Sequence, residues 1–310
     1  MIMQERRAIL IAGPTASGKS ALALRLAEQH GGTIINADSM QVYRELRVLT
    51  ARPTPDEEAR VPHRLYGVLS GAEAYSAGRY AIDAAKAIAE ARRAGRVPII
   101  VGGTGLYFKA LLEGLSPVPA IDPAIRARWR AEAAARPPAQ LHAILAARDV
   151  RMAARLMATD TQRLVRALEV LESTGRSLAD WQGERGTPVV EEAEAVRLLV
   201  LPDRDDHARS IDARFEAMLA AGALDEVRTL VRLGLSTELP IMRALGVAPL
   251  AAHLAGHVPL VEAAQLAKAE TRQYAKRQLT WLRRNMIAWG SITGEQTRSF
   301  ALEDFAFSQP

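Results

Sequence analysis

The chain has 310 residues, 49% of them hydrophobic and 24% charged, and this globular composition excludes a disordered chain. It contains no cysteine, which excludes a disulfide scaffold, a thiolate nucleophile, a Cys-ligated zinc and an iron–sulfur cluster. Lys and Arg number 40 against 35 Asp and Glu, so a net charge of +5 permits an anionic partner without demanding one.

Residues 1–7 precede a short apolar run, Ala8 to Ala12, which is too short for a signal-peptide core or a bilayer span. A cytoplasmic, reducing-compartment protein with no membrane partner is expected. The same run reads as a buried strand ended by Gly13-Pro14. Lys19 to His30 reads as a helix stopped by Gly31-Gly32. Thr33 to Ala37 reads as a second strand ending at Asp38, and residues 77–94 as an Ala-rich helix. Val97 to Val101 reads as a third strand, ended by Gly102-Gly103. Alternating strands and helices joined by short loops predict a parallel α/β sheet, whose carboxyl edge is where such folds bind ligands.

The pattern changes at Ser116-Pro117-Val118-Pro119. Residues 116–194 read as a helical insertion into an α/β core made of 1–115 and 195–290. Within the second part of that core, Val196 to Leu201 is strand-like, and 205–290 is mostly helical. Residues 291–310 are polar with weak periodicity and read as a loose tail. Residues 268–284 carry six basic side chains and one acidic one. This block is either a solvated helix face or a surface for a polyanion.

Gly13-Pro14-Thr15-Ala16-Ser17-Gly18-Lys19-Ser20 fits G-x-x-x-x-G-K-[ST] and falls between a strand and a helix. Glycines let N–H groups converge on phosphate oxygens, and the helix N-terminus adds partial positive charge. Lys19 adds a full charge, and Ser20 offers a hydroxyl to Mg²⁺. The motif predicts a bound diphosphate or triphosphate. The strand 97–101 lacks the terminal carboxylate with which nucleotide hydrolases hold Mg²⁺ and orient water. Asp38, which does end a strand, is a cap, a solvated turn or a base facing an acceptor substrate. Thr104 either shapes its Gly-flanked turn or donates to a phosphate oxygen. The six histidines show no metal-ligand spacing, and Trp129, Trp181, Trp281 and Trp289 read as packing residues.

Several strings together resemble the bacterial tRNA dimethylallyltransferase (tRNA isopentenyltransferase) family. They are Gly13–Ser20, Asp38-Ser39 with Tyr43, Val101 to Tyr107, Asp160 to Val170 with Thr174-Gly175, and Thr271 to Arg283. The resemblance covers roughly residues 8–284 in matching order. It implies a P-loop NTPase-like parallel core with a helical insertion and a helical C-terminal part. It also implies transfer of a dimethylallyl group from dimethylallyl diphosphate to N6 of adenosine-37 in tRNA, with Mg²⁺ as cofactor. A monomer is expected. By this resemblance, Gly13–Ser20 and Arg214 hold the diphosphate, and Asp38, Thr104 and Arg214 are catalytic. The tRNA contacts implied are Asp38, Ser39, Met40, Gln41, Thr104, Arg126, Gln162, Arg163, Leu164, Val165, Arg166, Arg243, Lys276, Arg277 and Arg283. The chain departs from the family at Met157-Ala158-Thr159, at Val247 in place of a Tyr, and at Leu49 in place of a Gly. A kinase using ATP, a prenyltransferase acting on free adenine nucleotides and a non-catalytic RNA-binding protein are the competing readings. The insertion and the basic block argue against the first two, and intact Lys19, Ser20 and Asp38 against the third.

Overall fold

The computed structural model describes residues 8–294, 296–300 and 302. Strand β1 (Ala8–Ala12) is wholly buried and runs into the 13–18 loop and helix α1 (Lys19–His30). Gly31 ends α1 at φ 62°, a conformation that costs glycine nothing, and β2 (Gly32–Asn36) follows at once. Helix α2 (Pro55–Arg60) starts at a reciprocal cap between Thr54 and Glu57. A two-residue strand, β3 (His63–Arg64), then α3 (Ala77–Arg93), β4 (Val97–Gly102) and α4 (Gly105–Leu112) follow.

The chain divides into two compact units, 1–112 with 189–310, and 113–188. The second unit contains α5 (Pro123–Ala135), α6 (Pro138–Arg148), α7 (Val150–Ala153), α8 (Thr161–Thr174) and α9 (Leu178–Trp181). Its helices close on their own core around Trp129, Leu141, Leu145, Leu164 and Leu168. Residues 189–194, expected in the insertion, belong to the first unit. The N–H groups of Val189 and Val190 both donate to the carbonyl of Leu111, at 2.7 and 3.0 Å.

The first unit resumes with β5 (Ala195–Leu201), α10 (Arg204–Ala220), α11 (Ala223–Arg232), α12 (Val247–Leu254) and the long α13 (Leu260–Asn285). A further strand, β6 (Gly290–Thr293), and a 3₁₀ turn, Gln296–Arg298, lie where the sequence reads as a loose tail. Ile292 completes the core on the α1 side, and Arg25 donates to the carbonyls of Arg298 and Phe300. Weak periodicity conceals this segment because a four-residue edge strand is too short to show alternation.

The sheet is parallel throughout, in the order β3-β2-β4-β1-β5-β6. Successive side chains point to opposite faces. Leu10, Ile35, Ile100 and Leu199 therefore pack with α3 and α4, while Ile9, Ile11, Ile34, Ile99 and Leu198 pack with α1. The central strands β1 and β4 are apolar on both faces, as strands covered by helices on either side must be. A separate apolar cluster joins α11, α12 and the start of α13 to residues 42–49. All the strand ends that carry motif residues (Ala12, Asn36 and Gly102) lie at one edge of the sheet.

Candidate active site

The phosphate loop leaves β1 and turns through Ala16 at φ 57° and Gly18 at φ 87°. Pro14 has no N–H, and the N–H of Gly13 donates to Gly102 O at 3.3 Å. Thr15 N–H donates to Gln278 Oε1 at 3.0 Å. Among the described residues, the N–H groups of Ala16, Ser17, Gly18, Lys19 and Ser20 find no acceptor in the chain. Of the expected cradle Gly13–Ser20, the free backbone donors are those of Ala16 to Ser20. Unpaired N–H groups at the start of a twelve-residue helix can receive an anion. The Ser17 hydroxyl is buried without a partner, which is costly unless a ligand completes it.

Three charged side chains share one electrostatic neighbourhood here. Burial pushes the Lys19 ammonium down to about 8; the Asp38 carboxylate opposes that shift and the Arg214 guanidinium adds to it. The Arg214 guanidinium is likewise lowered by burial, with Asp38 again opposing. Lys19 Nζ donates to Pro14 O at 3.0 Å, so the ammonium lies folded over the loop. Three phenols also feel Asp38: Tyr66, Tyr107 and Tyr274 are all raised, chiefly by burial, and Tyr274 reaches about 12. They stay neutral at physiological pH, so they add no charge to this neighbourhood.

Asp38 is held in place by its neighbours. The buried Asn36 accepts the Asp38 N–H at 2.7 Å and donates to the carbonyls of Asp38 and Leu65. Asp38 Oδ1 accepts the Met40 N–H at 2.9 Å, while Oδ2 has no hydrogen-bond partner among the described residues. One carboxylate oxygen is therefore fixed and the other is uncommitted. Thr104 Oγ1 accepts the Ser39 N–H at 3.1 Å, and the Thr104 N–H donates to Ala37 O at 3.2 Å. The Thr104 side chain thus ties the β4 end to the β2 end. Gly102 is required for that approach, because a Cβ there would lie 2.1 Å from the backbone of Ala37.

The remaining expected contacts fall into distinct groups. Gln41 Nε2 donates to the carbonyls of Thr50 and Ala51, so its amide is engaged in the chain's own turn. Leu49 and Val247, two departures from the family pattern, both lie in the cluster of α11 and α12. A Cβ on Gly246 would meet Leu49 at 3.0 Å, so these positions are filled as core. Arg243 is exposed and paired with Glu238 at 3.2 Å. In the second unit, Arg126, Gln162 and Arg163 are exposed, with Val165 and Arg166 half-buried. Leu164 is a correction. Its side chain is fully buried in that unit's core and offers nothing to a partner.

On α13 the basic block splits in two. Lys268 and Arg272 pair with Glu216 and Asp212 of α10. Lys276, Arg277, Arg283 and Arg284 are exposed and form no ion pair among the described residues. Sequence reasoning missed two residues of the site, Gln278 and His207. Gln278 is buried and binds Thr15 and Gly103; His207 Nε2 contacts Thr15 O at 2.7 Å. A polar residue within a basic helical string carries no mark of burial, so no local signal finds Gln278.

A glycine-bearing loop at the carboxyl edge of a parallel sheet, with Lys19, Arg214 and Asp38 in mutual electrostatic range, marks an α/β protein with a P-loop-like core. The sequence model of the IPP transferase family matches residues 41–285, and the chain belongs to that family. The tRNA dimethylallyltransferase of Methylocella silvestris is 57% identical over 295 residues, covering 95% of this chain and 97% of the relative. That of Parvibaculum lavamentivorans is 52% identical over 301 residues, covering 97% and 95%. The solved full-length tRNA isopentenylpyrophosphate transferase of Bacillus halodurans is 31% identical with a TM-score of 0.66, covering 93% and 90% of the two chains. A eukaryotic dimethylallyltransferase acting on tRNA superposes with a TM-score of 0.84 at 24% identity, covering 98% and 80%, and at that identity supports the fold alone.

Proposed function

We propose that this chain transfers a dimethylallyl group from dimethylallyl diphosphate to N6 of adenosine-37 in tRNA and releases diphosphate. The observation that carries the reading is the placement of Asp38, with one uncommitted carboxylate oxygen, in the field of Lys19 and Arg214 beside the free N–H groups of the phosphate loop. A base for an acceptor amine and a cationic seat for a leaving diphosphate are thereby brought to one edge of the sheet.

The C–O bond between the allylic carbon and the diphosphate breaks, and the diphosphate leaves with the electron pair. Positive charge on the loop amides, Lys19 and Arg214 meets the negative charge as it develops; preorganised donors of this kind are worth about 3–4 kcal/mol each. The adenine N6 forms the new N–C bond, and its proton passes to Asp38 Oδ2. An exocyclic amine is a weak nucleophile, and a base placed for it contributes about 10²–10⁴ in rate. Thr104 acts in this reading by holding Ser39 and with it the Asp38 turn. Every step proceeds without a covalent enzyme intermediate and without an activated water.

Mg²⁺ fits the residues present. The Ser20 side chain is exposed at the head of α1, and no cluster of carboxylate or imidazole ligands competes for the ion among the described residues. Ser20 would hold it together with diphosphate oxygens, and the ion would neutralise leaving-group charge. For tRNA, the exposed Lys276, Arg277 and Arg283 offer phosphate contacts, as do Arg126, Gln162 and Arg163 of the second unit. Reaching a loop base requires unstacking it. No described helix is long and apolar enough to cross a membrane. With tRNA as substrate, we assign the protein to the cytoplasm, acting as a monomer.

The test is labelled dimethylallyl diphosphate offered with unmodified tRNA and, separately, with free AMP, while ATP consumption is followed in parallel. Label in tRNA alone is expected. ATP turnover without prenylation overturns the reading.

A further inference from the structure

Gln278 lies on the same helix as the exposed Lys276, Arg277 and Arg283, yet its own side chain is only 7% exposed. Its two amide atoms are used in opposite directions. Oε1 accepts the N–H of Thr15 in the phosphate loop at 3.0 Å, and Nε2 donates to Gly103 O at the end of β4, also at 3.0 Å. Gly103 leaves room for this bridge, since a Cβ there would fall 2.3 Å from Nε2. The carbonyl of Thr15, in the next peptide unit, is held by His207 Nε2 on α10, seven residues before Arg214. The two peptide units that flank Thr15 are therefore each fixed by a helix outside the loop. The next residue, Ala16, adopts φ 57°, which a non-glycine residue holds only when its surroundings enforce it.

We propose that Gln278 is a positioning residue that fixes the anion-binding form of the phosphate loop and couples it to the basic helix. A helix held by a polyanion through Lys276, Arg277 and Arg283 also holds Gln278, and Gln278 holds Thr15. The loop N–H groups that follow, from Ala16 to Ser20, then point as the diphosphate needs them. Occupancy of the helix by tRNA and occupancy of the loop by diphosphate favour the same arrangement, so each ligand tightens the other. This coupling rests on the prenyl-transfer reading, whereas the fixing of the loop does not.

The experiment uses the full chain with inorganic pyrophosphate and unmodified tRNA. Pyrophosphate affinity is measured by calorimetry with and without tRNA, for the wild type, Gln278→Leu and Gln278→Glu. Steady-state transfer is measured with each substrate varied in turn. Gln278→Leu removes both hydrogen bonds at similar volume. It is expected to weaken pyrophosphate roughly tenfold or more, the loss that follows from leaving buried groups unpaired. It is also expected to abolish the tightening by tRNA and to raise KM for dimethylallyl diphosphate while KM for tRNA stays within about threefold. Gln278→Glu keeps an acceptor for Thr15 and is expected to rescue part of the pyrophosphate affinity; it carries the test if the Leu variant does not fold. Unchanged pyrophosphate affinity in both variants overturns the proposal. So does a lowered melting temperature with pyrophosphate affinity and its tRNA response intact. A wild type that binds pyrophosphate but prenylates no tRNA defeats the functional reading, while the pyrophosphate measurements still decide the role of Gln278.

Discussion

The indole of Trp281 lies against the face of Gly105. A Cβ added to that glycine would fall 1.9 Å from ring atom Cζ3. Through this contact α13 rests on the first turn of α4, one helical turn from where Gln278 reaches Gly103. Gly105→Ala forces either the ring or the helix away, and a loss of about 1–3 kcal/mol is expected, as for other overpacked sites. In a Trp281→Ala background the same substitution is expected to cost far less. A double-mutant cycle by urea denaturation measures the difference, and additive losses would show that the contact is not the source of the cost.

Lys19 predicts a pH dependence of diphosphate binding. Its ammonium is depressed from 10.5 to about 8, so the free protein loses this charge as pH rises through 8. A bound diphosphate restores the charge, and protons are taken up on binding above that pH. Pyrophosphate affinity is expected to hold below pH 8 and to fall above it. Lys19→Arg, which keeps its charge, is expected to flatten the fall once the titration of pyrophosphate itself is subtracted.

The same residue has the opposite sign in the stability of the empty protein. A lysine whose folded pKa is lowered binds fewer protons folded than unfolded between about 8 and 10.5. Stability from this group therefore rises with pH across that window and is lowest below it. Lys19→Met is expected to raise Tm at pH 7 while abolishing pyrophosphate binding. A lowered Tm would show that the charge is stabilising in the unliganded fold.

For Asp38→Ala the expected outcome is a loss of about 10²–10⁴ in kcat with tRNA affinity largely kept, measured by single-turnover transfer and filter binding. Equal losses in both would remove the base assignment. Asn36→Ala tests the support beneath it. Without the two carbonyl contacts and the Asp38 N–H contact, a fall in kcat is expected even though Asn36 is itself buried.

Tyr80 offers a gain. Its ring stacks on Tyr107 with centroids 3.7 Å apart, and its hydroxyl is buried without a partner. Tyr80→Phe keeps the stack and removes the unpaired group, and an increase in stability of about 1 kcal/mol is expected from thermal unfolding.

How much of this was legible in the sequence depends on range. The phosphate loop, β1 and α1 were legible because a fixed spacing of Gly, Lys and Ser is a local signature of one backbone shape. Asp38 was legible as a carboxylate ending a strand. Gln278 and His207 were not, because they act across 263 and 192 residues of chain on the same loop residue, and nothing in their own neighbourhoods records it. Leu164 was misread for a related reason. The string Gln162–Arg166 reads as one contact surface, whereas a helix turns successive residues to different sides and buries this one. The strand Gly290–Thr293 escaped notice because its pairing with β5 supplies the order that its own four residues cannot.

The sheet order also sets a timetable for synthesis. Strand β1 emerges first, yet its two neighbours, β4 and β5, arrive about 90 and about 190 residues later. Between those arrivals the ribosome delivers residues 113–188, which hold an apolar centre of their own and can condense while the host sheet is still waiting for an edge. The nascent chain can thus complete this inner unit before β5 arrives to cover the second flank of β1.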